Sequence, residues 1–139
     1  DKRQRDENGE YVGDHFYSNF NLTVVDDGRV SIGNSVMFGP NVTISTTGHP
    51  VHPYYRMRGA PFSLPVVIED GVWIGANVVV MPGVTIGKNS VIGAGSVVTR
   101  DIPENVVAFG TPCRVIRPIT DADLETIRPG MTINADWNA

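Results

Sequence analysis

Nine large apolar residues share one six-residue phase: Ile32, Phe38, Ile44, Ile68, Ile74, Val80, Ile86, Ile92 and Val98. A period of six fits neither common element, because an amphipathic helix repeats its apolar face every three to four residues and a half-buried strand every two. It is the period of a parallel β-helix. Three hexads close one triangular coil, and successive coils stack at about 4.8 Å with each strand paired in parallel to the strand one coil away. The in-phase aliphatics then form an internal column, each contributing roughly 1.5 to 3 kcal/mol against the entropy of ordering the chain.

The hexads starting at Ile32, Ile74, Ile86 and Ile92 each open with Ile-Gly. Gly33, Gly75, Gly87 and Gly93 are expected to take the unusual backbone angles of the corners. Small Ser35, Ala94 and Ser96 are expected to fill an interior too narrow for a second large side chain in every hexad. Before Ser31 the pattern weakens: Phe20 is in phase, but Asp26 stands where an aliphatic belongs, and Asp26-Asp27-Gly28 reads as a turn.

The organisation expected is a single domain over residues 1–139. Residues 1–16 form an N-terminal extension with a turn at Asn8-Gly9-Glu10, residues 17–48 and 66–102 form coils, and 103–139 form a C-terminal segment. Between the coils, 49–65 is a protruding loop rich in proline and aromatic residues. Excursions of that length from a compact scaffold are uncommon unless functional or disordered. A helix is expected from Asp121 to Ile127, with Thr120 as N-cap, Asp123 in its first turn and Pro129-Gly130 as the stop. It would cover the open end of the prism, which otherwise exposes strand edges.

A net charge of −4 argues against a nucleic-acid binder, which carries a basic face. No apolar run approaches a membrane span, and the charged start Asp1 to Glu7 is no secretory signal. Cys113 stands alone, which favours a reducing cytoplasm as the location.

Four features together resemble the galactoside and maltose O-acetyltransferases of the hexapeptide-repeat, left-handed β-helix acyltransferase superfamily. They are the hexads, the loop opening Gly48-His49-Pro50-Val51-His52-Pro53, the stretch Gly71-Val72-Trp73-Ile74-Gly75-Ala76-Asn77, and Gly110-Thr111-Pro112-Cys113-Arg114-Val115-Ile116-Arg117. The resemblance runs from about Tyr17 to Ile119 and implies an all-β, left-handed parallel β-helix with an extended loop and a short C-terminal helix. The left hand comes from the family, since general chirality rules favour right-handed crossovers. Also implied are a homotrimer with active sites between subunits, acetyl-CoA as donor and a sugar or glycoside as acceptor. Relatives carry a helical segment before the first coil that contributes to the acceptor pocket. This sequence begins at Asp1 without one, so either the sequence is truncated or that pocket is built differently.

His49 carries the chemistry expected. Moving an acetyl group from a thioester to an alcohol needs a base for the hydroxyl proton, and a neutral imidazole suits that task near neutral pH. The alternative for His49 is a loop histidine making one hydrogen bond, a reading that also serves His52 and His15. By resemblance, Asn19 and Asp27 contact the acceptor hydroxyls and Tyr17 packs on the sugar ring, although Asn19 equally fits a corner asparagine. Trp73, Ala76, Ala94, Thr99, Arg100, Arg114 and Arg117 stand at the family's coenzyme A positions. Small Ala76 and Ala94 let the pantetheine arm approach the backbone, an amide near Ala76 suits the tetrahedral oxyanion, and guanidinium groups pair with phosphates. Cys113 is expected to be a small buried residue, since direct transfer in a ternary complex needs no acetyl-enzyme. Three other readings remain: an acceptor such as serine or a xenobiotic, a non-enzymatic trimeric scaffold, and a zinc enzyme of the carbonic anhydrase type. The last needs three imidazoles around zinc, and the spacing of His15, His49 and His52 gives no ligand pattern, so no metal is expected.

Overall fold

The nine in-phase residues form the expected column, each 5% exposed or less. They belong to a computed structural model that describes residues 4–5, by backbone, and 11–133. The turn expected at Asn8-Gly9-Glu10 and the tail after Ile133 lie outside these residues.

Short strands alternate with corners around three faces of a prism. The first face orders Gln4–Arg5, Tyr11–Val12, Val30–Ile32, Val66–Ile68 and Thr85–Ile86. The second orders Tyr17–Ser18, Met37–Phe38, Trp73–Ile74, Val91–Ile92, Val106–Gly110 and Cys113–Pro118, and the third Thr23–Val25, Thr43–Ser45, Val79–Val80 and Val97–Val98. Parallel registry stacks Ile32, Ile68, Ile86 and Ile102 on the first face. It stacks Phe38, Ile74, Ile92 and Ala108 on the second and Ile44, Val80 and Val98 on the third. Gln4–Arg5 and Cys113–Pro118 pair antiparallel and close the ends of their faces.

The interior is wider than the sequence suggests. Val36, Val42, Val72, Val78 and Val84 are also buried, so most hexads put two aliphatics inside. Valine branches at Cβ and extends no further, which lets it share a layer with a longer isoleucine. Ser35 and Ala94 are exposed at corners instead, and of the three small residues expected inside only Ser96 is there. Ser90 and Ser96 take the valine slot where the coil gives way to the last strands. The Ser90 hydroxyl donates to Pro103 O at 2.6 Å, and that of Ser96 to Gly93 O at 2.6 Å.

The corner glycines also act differently from expectation. Gly33, Gly75, Gly87 and Gly93 do not have positive φ; that conformation falls two residues later, at Ser35, Asn77, Asn89 and Gly95. A Cβ on Gly75 would fall 2.8 Å from the Ala94 nitrogen of the next coil, so bare backbone is required there by stacking rather than by its own angles.

In the first coil the inward phase is set by Val12, Ser18 and Val24, which pair with Ile32, Phe38 and Ile44. Phe20, in phase by counting back from Ile32, is 66% exposed. The corner Asp26-Asp27-Gly28 holds two residues more than a regular hexad, so the count slips by two. Phe16 packs edge-on against Phe38, ring centroids 5.2 Å apart, and Leu22 and Val24 lean on the core. Parallel pairing already includes Tyr11–Val12, inside the stretch read as an extension. The loop shares no coil geometry. Thr47–Gly48 and Phe62–Ser63 pair antiparallel as its stem and a single helical turn, α1 (Pro53–Arg56), forms its tip, so the common phase of Ile44 and Ile68 is coincidental.

The helix expected over Asp121 to Ile127 is shorter and tighter: a 3-10 turn spans Asp121–Leu124, and Thr126–Arg128 pairs with Met131–Thr132 as a hairpin. Pro129-Gly130 makes the hairpin turn, with Gly130 at φ +79°, and β-branched Thr126 and Ile127 favour strand over helix. Among the described residues no helix is long and apolar enough to cross a membrane.

Ile86 is fully buried. Replacing it with Asp places a carboxylate among stacked aliphatics, and the variant is expected to yield no soluble folded protein. Normal expression with an unchanged melting temperature would mean the side chain does not face the column.

Candidate functional site

The loop leaves the prism at the corner between the third and first faces, and one buried hydroxyl organises that exit. Thr46 is fully buried; its hydroxyl donates to Val25 O at 2.6 Å and accepts from Gly28 N–H at 2.9 Å. Its backbone N–H also donates to Val25 O, and its carbonyl accepts from Leu64 N–H at 2.8 Å. Three segments meet there: the enlarged first corner, the outgoing loop and the returning loop. Next to it, the Thr47 hydroxyl donates to Asp27 Oδ2 at 2.7 Å. Asp27 is thereby held beside the loop stem, with its second carboxylate oxygen unpartnered among the described residues.

His49 follows the stem directly. Phe62 lies over Gly48, where a Cβ would fall 2.5 Å from the ring Cζ, and His49 emerges exposed, its imidazole without a hydrogen-bond partner among the described residues. The loop beyond is braced by its own side chains. His52 Nδ1 accepts from Tyr54 N–H at 3.1 Å and so caps α1. Arg56 donates to Val51 O at 2.9 Å, and the Arg58 guanidinium sits 3.6 Å from the Tyr54 ring centroid. His52 therefore has a local structural role, and His15 is an exposed corner residue at φ +57°.

The residues expected to contact donor and acceptor fall in two places. Asp27, His49, Thr99 and Arg100 line the corner between third and first faces. Asn19, Ala76 and Ala94 line the corner between second and third, and Tyr17, Trp73, Arg114 and Arg117 belong to the second face beside it. Asn19 is no positive-φ corner asparagine, a part taken by Asn21; its Oδ1 accepts from Phe20 N–H at 2.9 Å and its amide nitrogen stays unpartnered among the described residues. Tyr17, Met37 and Trp73 are registered on one outward ladder, each about half exposed. Met37 was not foreseen, because an exposed methionine at an outward position carries no signal until its neighbours are known.

Arg114 and Arg117 share the outer side of the second face only because the strand is irregular. Residues three apart in a regular strand point to opposite sides. Here Arg114 lies opposite Phe109 and Arg117 opposite Val107, with a register shift between Val107 and Ala108 that leaves Ile116 as an extra residue. Arg114 Nη1 donates to Cys113 O at 2.9 Å, while the Arg117 fork grips Asp123 through bonds of 2.9 and 3.0 Å. Arg117 is therefore not the unencumbered cation that the sequence suggests. The Asp123 carboxyl is held down at about 2, first by hydrogen bonds from Arg117 and then by the Thr120 N–H. That grip is complete above the ordinary carboxylate range and is lost as pH falls through about 2. Cys113 is buried beneath, its thiol pushed up by burial against the opposing pull of a Ser96 hydrogen bond and of Arg114. Among the described residues, no three His, Cys, Asp or Glu side chains gather as a metal site.

The chain resembles known proteins in sequence and in fold. Residues 65–100 match the family described as bacterial transferase hexapeptide (six repeats). The galactoside O-acetyltransferase of Lactococcus lactis subsp. lactis is 60% identical over 126 residues, covering 91% of this chain and 61% of that protein. A solved galactoside acetyltransferase in complex with coenzyme A superposes with a TM-score of 0.85 at 51% identity, covering 93% of this chain and 64% of the other. The maltose O-acetyltransferase of Clostridium difficile 630 gives a TM-score of 0.80 at 49% identity, covering 83% and 61%. The chain thus spans about three-fifths of the length of these proteins. The coil has the left hand of these neighbours.

Thr46→Val keeps shape but strands the Gly28 N–H in the interior, so global stability is expected to fall by about 1 to 3 kcal/mol. Denaturant unfolding measures that loss, and amide exchange at Gly28 should quicken with it. Wild-type stability would show that the hydroxyl does not organise the corner.

Proposed function

The chain belongs to the galactoside and maltose O-acetyltransferase family of hexapeptide-repeat proteins, and on that premise we propose that it transfers acetyl from acetyl-CoA to a hydroxyl of a sugar or glycoside. His49 is the general base. As the acceptor oxygen attacks the thioester carbonyl, the imidazole takes its proton, and the tetrahedral intermediate collapses with departure of the coenzyme A thiolate, which His49 can reprotonate. Asp27 and Asn19 offer the unpartnered carboxylate oxygen and amide described above to acceptor hydroxyls, with Tyr17 against the ring. Transfer is direct within a ternary complex, and the buried, proton-holding Cys113 takes no part. Its lone, reduced state suits a cytoplasmic location.

The observation that carries this reading is the split of the site. A base and an oxyanion donor must both lie within about 3 Å of one reacting centre. His49 and the Ala76 amide stand at opposite ends of the third face, a span of six residues, up to about 20 Å of extended chain. Within one copy the width of the third face lies between them. A neighbouring copy that sets its Ala76 corner against the His49 corner of the first brings them together, and three copies related by a rotation close the ring. The active unit is accordingly a homotrimer with three inter-subunit sites, the donor lying along Trp73, Ala76 and Ala94 with Thr99 and Arg100 across the groove. The exposed ladder of Tyr17, Met37 and Trp73 supports burial of this side against another copy or ligand.

Acetyl transfer should be measured against galactosides, maltose, glucose, serine and hydroxylated antibiotics, with size-exclusion and light scattering for the assembly. A sugar or glycoside is expected as best acceptor, and His49→Ala should lower its turnover by about 10²- to 10⁴-fold with coenzyme A binding retained. Parental turnover in the variant would remove His49 from the base role. A preference for serine would move the chain to the other acceptor class.

A further inference from the structure

Arg117 is fixed by a partner that leaves half of it open. A guanidinium has five N–H donors in a planar fork. Nη1 donates to Asp123 Oδ2 at 3.0 Å and to Pro118 O at 3.1 Å, and Nη2 donates to Asp123 Oδ1 at 2.9 Å. These bonds occupy the end of the fork. The side edge, formed by Nε–H and the second Nη2 hydrogen, has no partner among the described residues, and the side chain is 51% exposed. Two parallel donors on one edge match two oxygens of a phosphate.

Asp123 is itself rigidly placed. Its Oδ2 accepts from Thr120 N–H at 2.9 Å, and its own N–H donates to Thr120 O at 2.9 Å, so it is anchored in the 3-10 turn Asp121–Leu124. Arg114 has no such brace beyond the bond to its neighbour's carbonyl. The strand irregularity puts both arginines on one side, and only Arg117 is oriented from behind.

Resting on the donor reading above, we propose that Asp123 is a positioning residue for acetyl-CoA: it holds the Arg117 guanidinium so that its side edge faces a phosphate of the nucleotide end. The carboxylate also subtracts charge near that phosphate. Salt weakens this opposing effect, since charges in water are screened over about 8 Å at physiological ionic strength. The two hydrogen bonds that orient the fork are made in direct contact and are weakened less by salt than the more distant pair of like charges.

Calorimetry at physiological salt with coenzyme A and with pantetheine, which lacks the nucleotide phosphates, tests this on the full chain. Asp123→Asn is expected to raise the Kd for coenzyme A by about three- to tenfold, the scale of freeing one long side chain, and to leave pantetheine binding unchanged. Asp123→Ala should do the same, and neither change should add to the loss in an Arg117→Ala background. If Arg117→Ala leaves coenzyme A binding intact, the donor reading of Arg117 falls and this proposal with it. If Arg117→Ala weakens binding but Asp123→Asn does not, or tightens it, only the positioning role is overturned. Equal weakening of both ligands with a lowered melting temperature would mark Asp123 as structural and also overturn it.

Discussion

Parallel registry between like residues of successive coils is the interaction on which the structure rests. Ile68 sits between Ile32 and Ile86, Ile74 between Phe38 and Ile92, and Val80 between Ile44 and Val98. Each strand of the coils up to Val98 is only two or three residues long and could not persist alone, since an isolated short strand pair is marginal in water. Stacking makes every strand both template and cap for the next. The same registry explains the glycine after Ile32, Phe38, Ile74, Ile86 and Ile92. A Cβ at Gly75 would meet the backbone of the following coil, so the close approach that permits the hydrogen bonds also dictates the residue.

A fold this regular positions a site by its departures from regularity. The extra residues at Asp26-Asp27-Gly28, the insertion between Thr46 and Leu64, and the bulge near Ile116 each bring together groups that the repeat would hold apart. Thr46 ties the first two of these through one buried hydroxyl, which couples Asp27 to the root of the His49 loop. The bulge turns Arg117 to the side of Arg114, where Asp123 can take hold of it. A perfect prism of the same composition would have the same core and no such constellation.

His49, exposed and unpartnered among the described residues, stands one face away from Ala76. In the proposed trimer activity depends on association, because base and oxyanion donor come from different copies. On the same proposal the outward ladder of Tyr17, Met37 and Trp73 is covered in the assembly, while each copy already has its own column of aliphatics.

From sequence alone the period of six, the prism, the column from Ile32 to Val98, the protruding loop and His49 at its root were all legible, because each follows from spacing along the chain. The second buried layer at Val36, Val42, Val72, Val78 and Val84, the slipped first coil that exposes Phe20, and the hairpin replacing most of the helix after Thr120 were not. The first depends on how wide the interior is and the second on two residues absorbed at a corner, whereas the hairpin follows from the Pro129-Gly130 turn and β-branched Thr126 and Ile127, a signal that competes with the N-cap pattern at Thr120. Sequence determined which residues repeat. Tertiary structure decided which of them meet, because a corner or a buried hydroxyl acts between coils eighteen residues apart and a bulge acts across the two strands of a hairpin.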